Sequence, residues 1–487
     1  MDRLKQITLI LLLNFPAVLT AQDTLPDRTG QSVKILIGTF LGNEQRNFYG
    51  DDAPSALKVH WKHYLGEGVT VISRKSGSRI WAGAGWTGQP LLVEENGELF
   101  LIQGAYDLHL KKIDATDGSL IWQYLFDDVV KGTGTIWENN HAIRSEEKYI
   151  ILQGSRLGIG NYLDSKHVPR YRAISYLTGK ELWRLNVAWT DSYSRDVDAS
   201  ALIINDTVYI GLENGLFTVF DPNPVKAVLR DSMLQPKVIQ QLKLYAREDI
   251  AAHNYNLVTE SSPARLGDMI YVASGSGHIY GYSLNSRRLE WDFYTGSDMD
   301  GSVVVTSDNC ILATIEKQYI PGNGGVIKLD PSKPPAEAVI WYLPAGDNEY
   351  GSWKGGIIGS AGITDHYHPG QQHNLAAVAA IDGYLYVVDH TSLDNSTVST
   401  GMDGTTKYPC PRMVFRDLIG PSISTPVFTK NRLVVAGYQG IRIYEYDKDL
   451  NFRLLDHFPA GFEATPICYR GKIFIASRNG YLYCFGD

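Results

Sequence analysis

Cysteines are scarce in this chain and are not arranged for cross-linking or metal binding. The 487 residues include four, which are Cys310, Cys410, Cys468 and Cys484. No two are adjacent or form a CxxC pair, which excludes a disulfide scaffold and a cysteine metal site. Cys468 and Cys484 fall on non-neighbouring strands of one predicted unit, too far apart for a bridge. We therefore expect the cysteines to be structural.

Basic clusters and common catalytic motifs are also missing. The formal net charge is −8 at pH 7, and no run of lysine and arginine offers the basic face that a nucleic-acid partner requires. The sequence contains no G-x-S-x-G, no H-E-x-x-H and no phosphate-binding loop. We therefore expect no nucleic-acid partner and find no support for hydrolytic chemistry.

One apolar stretch occurs, at the N-terminus. Basic residues precede apolar residues from Ile7 to about Val18, and small residues follow. This order is typical of a secretory signal peptide, and the stretch is shorter than the roughly 20 residues of a membrane-spanning helix. We predict a signal peptide over residues 1–21, and an exported, periplasmic or extracellular domain over residues 22–487 with no membrane span.

Alternating apolar residues that end in glycine-containing turns recur eight times along the chain. The equivalent central positions, 40 to 74 residues apart, are Phe100, Ile150, Tyr209, Tyr271, Leu312, Tyr386, Val434 and Phe474. Alternation predicts strands, and strand-built repeats of this length are typical of propeller blades. The sequence therefore predicts an all-β, eight-bladed β-propeller of four-stranded blades.

Tryptophan recurs at one position of the fourth strand, in Trp122, Trp183, Trp291 and Trp341. Such large rings fill the wedge between blades, so we expect a core role. In the blades without tryptophan, we expect Ile239, Phe415 and Leu455 at this place. The last repeat lacks a fourth strand, and residues near 56–65, with Trp61, have the pattern to supply it. We predict that this N-terminal segment closes the ring and removes a free sheet edge.

Several motifs resemble those of pyrroloquinoline-quinone (PQQ) type propellers. They are DATDGSLIW, its looser copy SYLTGKELW, and the leading GNEQRNFYG. The resemblance implies the same fold, found in quinoprotein dehydrogenases and in non-catalytic relatives such as the outer-membrane assembly lipoprotein. Such dehydrogenases hold the quinone between a tryptophan and two adjacent cysteines, beside Ca²⁺ bound by Glu and Asn, with Asp as base. This chain has neither adjacent cysteines nor a CxxCH haem motif.

Acidic residues precede several predicted inner strands at comparable positions. The aligned residues are Thr87, Asp198, Glu260, Asp300, Ile423 and Glu463, with Trp86, Trp137, Glu138, Asp196, Asp298, Trp353 and Lys354 nearby. Four of the six aligned residues are carboxylates, and we expect them to converge on the mouth of the central funnel. Converging carboxylates either gain protons or bind a divalent cation, a sugar or a cationic ligand. Acidic residues also suit strand-entry turns without any ligand.

A histidine-rich segment, DHYHPGQQH, is a second candidate site. His366 and His368 would point the same way on a strand, with His373 close by, and imidazole groups bind Zn²⁺ or Cu²⁺. The segment is predicted to connect the first two strands of a blade, on the face opposite the acidic residues. A polar surface loop is the simpler interpretation of this segment.

These observations favour a monomeric, exported, non-catalytic module that uses its funnel face to bind a protein or a carbohydrate, without a cofactor. A PQQ- and Ca²⁺-dependent sugar or alcohol dehydrogenase is one alternative. A polysaccharide-handling protein that stacks sugars on Trp86, Trp137 and Trp353 is the other.

Overall fold

Strands dominate this computed structural model, which describes residues 32–73, 76–158, 163–368 and 374–487. In the first half of the chain they are β1 Val33–Ile37, β2 Lys58–Tyr64, β3 Glu67–Ser73, β4 Gly77–Ala82, β5 Leu91–Glu95, β6 Glu98–Gly104, β7 His109–Asp114, β8 Leu120–Leu125, β9 Thr135–Glu138, β10 Tyr149–Gly154, β11 Tyr171–Ser175, β12 Glu181–Leu185, β13 Leu202–Ile204, β14 Thr207–Gly211, β15 Leu216–Asp221, β16 Val228–Arg230, β17 Met233–Gln235 and β18 Lys237–Lys243.

The second half continues the same pattern. Its strands are β19 Ala264–Leu266, β20 Met269–Ala273, β21 His278–Ser283, β22 Arg288–Tyr294, β23 Val304–Val305, β24 Ile311–Ile315, β25 Gly325–Leu329, β26 Val339–Pro344, β27 Gly362–Ile363, β28 Leu375–Ala379, β29 Tyr384–Thr400, β30 Lys407–Leu418, β31 Val427–Phe428, β32 Arg432–Gly437, β33 Gly440–Tyr446, β34 Phe452–Phe458, β35 Ile467–Tyr469, β36 Lys472–Ala476 and β37 Tyr481–Gly486. One α-helix, α1, spans Arg247–Ala252, and short 3₁₀ turns cover Ser145–Glu147, Pro224–Lys226 and Pro335–Glu337. In the described part of the chain, no helix has the length and apolar character to cross a bilayer.

The strands form eight antiparallel, four-stranded blades, which confirms the predicted eight-bladed propeller. From the inner to the outer strand, the blades are β5–β8, β9–β12, β13–β15 with β18, β19–β22, β23–β26, β27–β30, β31–β34, and β35–β37 with β2. We number them 1 to 8 in this order. Strand β1 adds to the inner edge of blade 1, and β3–β4 and β16–β17 are separate hairpins. The predicted signal peptide, residues 1–21, lies outside the described residues.

The N-terminal segment closes the ring as predicted. Strand β2 pairs antiparallel with β37, with Lys58 opposite Gly486, Trp61 opposite Cys484 and Tyr64 opposite Tyr481. The last and first parts of the chain therefore share blade 8, and its third strand has a partner instead of a free edge. The four cysteines are free thiols, and Cys468 and Cys484 lie in different strands of this blade.

Outer-strand tryptophans join each blade to the next through the indole N–H. Every outer strand carries a bulge in its pairing with the third strand, and bulges increase strand twist. The tryptophan lies beside the bulge, and its Nε1–H donates to a backbone carbonyl of the following blade. The pairs are Trp61 to Ala115 (3.1 Å), Trp122 to Tyr176 (3.1 Å), Trp183 to Pro222 (2.8 Å), Trp291 to Lys333 (3.1 Å) and Trp341 to His390 (3.0 Å).

In two blades, the residue predicted at the tryptophan position is not the one that occupies it. The residue that follows it in the sequence lies there instead. In blade 3 the bulge places Gln240, not Ile239, opposite the third strand, and Gln240 Nε2 donates to the carbonyl of Arg287 at 3.0 Å. In blade 7 it places Asp456, not Leu455, at this position. The expectation was wrong because a bulge reverses the alternation of side chains after it.

The sixth repeat was also assigned to the wrong strand. Tyr386 lies in β29, the third strand of blade 6, and the second strand is β28. Strand β29 continues to Thr400 and pairs with β30 through two further irregularities. The tip of this long hairpin reaches blade 5, where the carbonyl of Met402 accepts a hydrogen bond from the N–H of Gly322.

The glycine of the DATDGSLIW motif has a packing role. Gly118 has φ +80°, and a Cβ there would lie 2.7 Å from Cε3 of Trp61, the tryptophan of the preceding blade. In the looser copy, Gly179 lies in the same way against Trp122, with 2.9 Å to Cδ2. The motif therefore pairs a glycine in one blade with a tryptophan in its neighbour.

Gly118→Ala is expected to destabilise the protein more than Gly267→Ala. Both glycines have positive φ, but a Cβ at Gly267 would meet nothing within 4 Å. The control should lose only the roughly 1–2 kcal/mol of a left-handed alanine, whereas Gly118→Ala must also displace the indole of Trp61. Guanidinium denaturation of both variants measures the difference. Equal losses would show that this contact contributes nothing.

Candidate ligand-binding funnel

The eight blades place equivalent residues around the axis. The residue four positions before each inner strand forms the rim, and in blade order these residues are Thr87, Lys131, Asp198, Glu260, Asp300, Ile358, Ile423 and Glu463. Six of them were aligned from the sequence. The other two, Lys131 and Ile358, were missed because the inner strands of blades 2 and 6 had not been included in that alignment.

A belt of hydroxyl groups lies two residues after the rim and sets its spacing. In several blades the N–H of the belt residue donates to the hydroxyl of the belt residue in the next blade: Ser200 to Ser262 at 2.9 Å, Ser262 to Ser302 at 2.9 Å and Ser302 to Ser360 at 2.8 Å. The N–H of Gln89 bonds Thr133 Oγ1 in the same way at 2.6 Å. These bonds link successive inner strands, so the rim stands on rigid elements.

Residues 38–52 close the channel beneath the rim. Arg46, fully buried, donates to the carbonyls of Phe40, Ser200, Ala201 and Pro263. Further along, Gly50 forms a bridge with Cys468 of blade 8. The segment thus contacts inner strands on several sides of the axis, and its contacts lie deeper in the channel than the rim.

We call residues 38–52 the plug, and a small chamber remains between the plug and the rim. Its volume is about 20 Å³, which corresponds to roughly one water molecule. Phe40 forms part of its lining, together with Trp86, Thr87, Gly132, Thr133, Asp198, Glu260, Ser262, Asp300, Ser302, Ile358 and Ile423. The structure therefore brings three of the four aligned carboxylates, Asp198, Glu260 and Asp300, into one enclosure.

Lys131 supplies a positive charge beside these carboxylates. Its Nζ forms an ion pair with Asp198 and lies 3.9 Å from Glu213 and 4.0 Å from Asp196. It also lies 4.6 Å from the ring centroid of Trp86. Burial disfavours the ammonium, but attraction to Asp198, Glu260 and Glu213 outweighs this and raises the pKa of Lys131 well above its ordinary value.

The carboxylates outnumber this cation, and their proton affinities rise accordingly. Burial, with repulsion from neighbouring acids, raises the pKa of Glu260 to about 7. Burial also raises the pKa of Asp298 to about 6. The pKa values of Asp300, Glu213 and Glu316 are raised by burial and by the other carboxylates. The funnel therefore takes up protons near neutral pH.

Aromatic side chains cover one side of the rim. The rings of Trp86 and Trp353 lie 6.1 Å apart, and Tyr438 lies 6.5 Å from Trp353. The Trp86 indole N–H donates to Glu260. Glu463, the fourth carboxylate, accepts hydrogen bonds from the Tyr438 hydroxyl (3.0 Å) and from Arg478 (3.1 Å). Glu463 is thus engaged beside the aromatic group rather than exposed to the chamber.

A larger cavity of about 790 Å³ lies beside the chamber. Its lining consists of Val71, Ile72, Trp86, Asp128, Lys131, Arg156, Leu157, Gly158, Leu163, Asp164, Trp189, Tyr193, Ser194, Arg195, Asp196, Glu213 and Glu260. Trp86 and Glu260 line both spaces. Hairpin β3–β4 contributes Val71 and Ile72, the connection from β4 to β5 contributes Trp86, and the connections around blades 2 and 3 contribute the rest.

Some residues named from the sequence lie elsewhere. Trp137 is in inner strand β9, buried in the core, where its Nε1–H donates to Asp206 at 3.0 Å. It does not reach the rim because it lies six residues further along the chain than Lys131, the rim residue of the same blade. Glu138 ends the same strand, and Lys354 is exposed. Asp298 is buried and accepts a hydrogen bond from Asn256. Asp196, in contrast, lines the larger cavity, where it forms an ion pair with Arg156 at 2.8 Å.

The histidine-rich segment connects β27 to β28, on the face predicted for it. The ring of His366 packs against Phe48, 4.8 Å between centroids, and His368 Nε2 lies 3.3 Å from the Tyr446 hydroxyl. His373 lies outside the described residues. Within the described ranges, these histidines belong to no group of three metal-ligating side chains.

Several solved structures have a similar fold. BamB from Moraxella catarrhalis matches with a TM-score of 0.52 and 13% identity, over 80% of this chain and 94% of that chain. Quinohemoprotein alcohol dehydrogenase from Comamonas testosteroni matches with a TM-score of 0.56 and 13% identity, over 92% and 80%. A quinohemoprotein alcohol dehydrogenase from Pseudomonas putida HK5 matches with a TM-score of 0.53 and 12% identity, over 92% and 80%. No protein-family model and no curated protein matches the sequence. At such identities, the likeness is one of fold, shared with propellers of differing function.

Proposed function

We propose that this protein is an exported, non-catalytic β-propeller whose funnel face binds a small soluble ligand. The observation that carries the proposal is the 790 Å³ cavity that shares Trp86 and Glu260 with the acidic chamber. Ligand pockets typically measure about 300–1,000 Å³ and combine apolar walls with a few polar groups. Here Trp86, Trp189 and Tyr193 supply aromatic surface, and Glu213 and Glu260 supply carboxyl groups.

The closed channel supports binding rather than passage. Residues 38–52 fill the axis below the rim, and Arg46 fixes them to the inner strands through backbone carbonyls. A molecule that enters from the funnel face meets Phe40 at the base of the chamber. Entry and exit therefore share one face.

A quinone-dependent dehydrogenase is less well supported, because the side chains here do not suit the cofactor. PQQ carries carboxylates, and it would face Glu213, Glu260 and Asp300 in a funnel with an excess of acids. The cations that could offset this repulsion are engaged, Lys131 with Asp198, Arg156 with Asp196, and Arg195 with backbone carbonyls. The carboxyl groups of Asp198, Glu213 and Glu260, which have oxygens within 4.8 Å of one another, lie beside the Lys131 ammonium, so Ca²⁺ would have to displace a buried cation.

Stacking of sugars on Trp86, Trp137 and Trp353 is also less well supported. Trp137 lies in the core, and Trp86 and Trp353 pack against each other. Trp189 and Tyr193, which are 68% and 51% exposed, offer more open aromatic surface.

Native mass spectrometry of the protein purified from its own host tests the proposal. The wild type should carry a non-covalent small-molecule adduct. Tyr193→Arg, which extends a long side chain into the cavity, should lose it. Tyr64→Arg is the matched control, since Tyr64 is 56% exposed and lies on β2, away from the cavity. A wild type without any adduct, or an adduct retained by Tyr193→Arg, would refute binding in the funnel.

A further inference from the structure

We propose that the ligand of the funnel is an organic cation, a small molecule that bears an ammonium or guanidinium group. This inference rests on the proposed function and names the chemical class that the cavity takes. It follows from the charge balance of the lining, from one buried carboxylate oxygen without a well-formed hydrogen bond, and from the way the chain places its own lysine.

Acids outnumber bases around the two spaces. The carboxylates that line the chamber and the cavity are Asp128, Asp164, Asp196, Asp198, Glu213, Glu260 and Asp300, against Lys131, Arg156 and Arg195. Each base is already engaged. Lys131 pairs with Asp198, Arg156 pairs with Asp196, and Arg195 donates to backbone carbonyls that include Val187 and Leu163.

Glu213 provides an independent sign of a missing partner. Its side chain is 3% exposed, it lines the cavity, and its Oε2 accepts a hydrogen bond from Ser194 at 2.6 Å. Its Oε1 accepts no well-formed hydrogen bond among the described residues; its polar neighbours are the Lys131 ammonium, 3.9 Å away, and the Asp198 carboxyl group. Burying a carboxylate oxygen without a donor is costly, so a bound N–H donor or cation would relieve that cost.

Lys131 shows how this site accommodates a cation. Its ammonium lies between the Asp198 carboxylate and the face of Trp86, 4.6 Å from the ring centroid. Carboxylates combined with aromatic faces are the usual surroundings of ammonium ligands. The cavity repeats these components further out, with Glu213 and Glu260 as carboxylates and Trp189 and Tyr193 as aromatic faces. A ligand cation placed there would have the same two kinds of contact.

Neutral and inorganic ligands fit less well. A neutral sugar gains no Coulomb energy from the surplus carboxylates and leaves their repulsion in place. A bare divalent ion prefers several converging oxygens, and in the group formed by Asp198, Glu213 and Glu260 two of the three already contact the Lys131 ammonium. An organic cation offsets the repulsion and also occupies the cavity.

Binding of a cation should release protons near neutral pH. Burial raises the pKa of Glu260 to about 7, and a bound cation favours the ionised carboxylate. The groups that face Glu260 are Lys131, Trp86, Asp198, Glu213, Tyr193, Asp298, Asp300 and Glu316. All of these except Lys131 and Trp86 are acidic groups. Loss of a proton from any of them makes the site more negative and therefore favours binding of a cation. Affinity should therefore increase as the pH is raised from about 6 to about 8.

Isothermal titration calorimetry with defined probes tests the inference. The probes are choline and spermidine as cations, 3,3-dimethylbutan-1-ol as the neutral analogue of choline, and glucose and CaCl₂ for the other classes. We expect at least one organic cation to bind, the neutral analogue not to bind, and the heat to vary with the ionisation enthalpy of the buffer because protons are released. Glu260→Gln should weaken binding by about tenfold or more. Glu290→Gln, which removes the same charge from an exposed position on outer strand β22, should leave it unchanged.

The outcomes separate this inference from the proposed function. Glucose binding that is lost in Tyr193→Arg, with no response to either organic cation, would overturn the organic cation and leave the funnel as a binding site. Equal binding of choline and its neutral analogue, or choline affinity unchanged in Glu260→Gln, would also overturn the organic cation. CaCl₂ binding without binding of the organic cations would assign the acids to an inorganic ion instead. No binding by any probe, together with no adduct in the native protein, would overturn both.

Discussion

Replacing Trp183 with alanine is expected to lower the free energy of unfolding by about 3–5 kcal/mol, the usual cost of truncating a large core ring. The side chain is 1% exposed. Its ring lies 5.7 Å from that of Phe220 and 6.5 Å from that of Tyr171, and its Nε1–H donates to the carbonyl of Pro222 in the next blade at 2.8 Å. The substitution therefore leaves a cavity between two blades and also a buried carbonyl without its donor.

Equilibrium denaturation in guanidinium measures this loss, with two further variants for comparison. Trp183→Phe keeps an aromatic ring but not the hydrogen bond, so its loss should be intermediate. Trp189→Ala removes a tryptophan that is 68% exposed and should change the stability by no more than about 0.5 kcal/mol. If Trp183→Ala were no worse than Trp189→Ala, the role of the outer-strand tryptophans as links between blades would be wrong.

Replacing Arg46 with leucine should have an effect of similar size, about 3 kcal/mol or more, because each buried group left without a partner costs about 1–3 kcal/mol. The guanidinium is fully buried and donates five hydrogen bonds, to Thr39 Oγ1 and to the carbonyls of Phe40, Ser200, Ala201 and Pro263. Leucine fills part of the space but leaves these acceptors unpaired. The plug beneath the funnel should then loosen.

Lysine at the same position provides a test of geometry. Arg46→Lys keeps the charge, but an ammonium cannot reproduce the planar fork that reaches carbonyls on two sides, so much of the loss should persist. Arg288→Leu is the control, since Arg288 is exposed at the start of β22. Denaturation curves, with limited proteolysis near residues 38–52, report stability and plug release. A wild-type curve for Arg46→Leu would show that the plug is held by other contacts.

The architecture was predictable because its signals are local and repeated. Alternation of apolar residues marked the strands, and the outer-strand tryptophans marked the blade spacing, including Trp61 for the closing strand. The sixth repeat was assigned to the wrong strand because its true second strand, Leu375–Ala379, is rich in alanine, whereas the third strand begins with the strongly apolar run YLYVV. The displaced positions at Ile239 and Leu455 arise from bulges, which leave no clear mark in the sequence.

The funnel was predictable only in part. Asp198, Glu260 and Asp300 were found because each stands at a fixed distance before an inner strand. Lys131 stands at the same distance before β9 and would have been found had that strand been aligned with the others. Glu213 and Tyr193 lie in connections without periodicity, and only the circular order of the blades brings them to one cavity. A site built from several connections leaves no single motif.

The most direct test of the account is a crystal structure of the protein purified from its own host, with no ligand added. The account predicts continuous density for a small molecule in the cavity, in contact with Glu213, Tyr193 and Trp86, and a cationic group within hydrogen-bonding distance of Glu213 Oε1. A cavity that holds only ordered water, with Glu213 Oε1 hydrogen-bonded to that water, would contradict the claim that this funnel is a ligand-binding site.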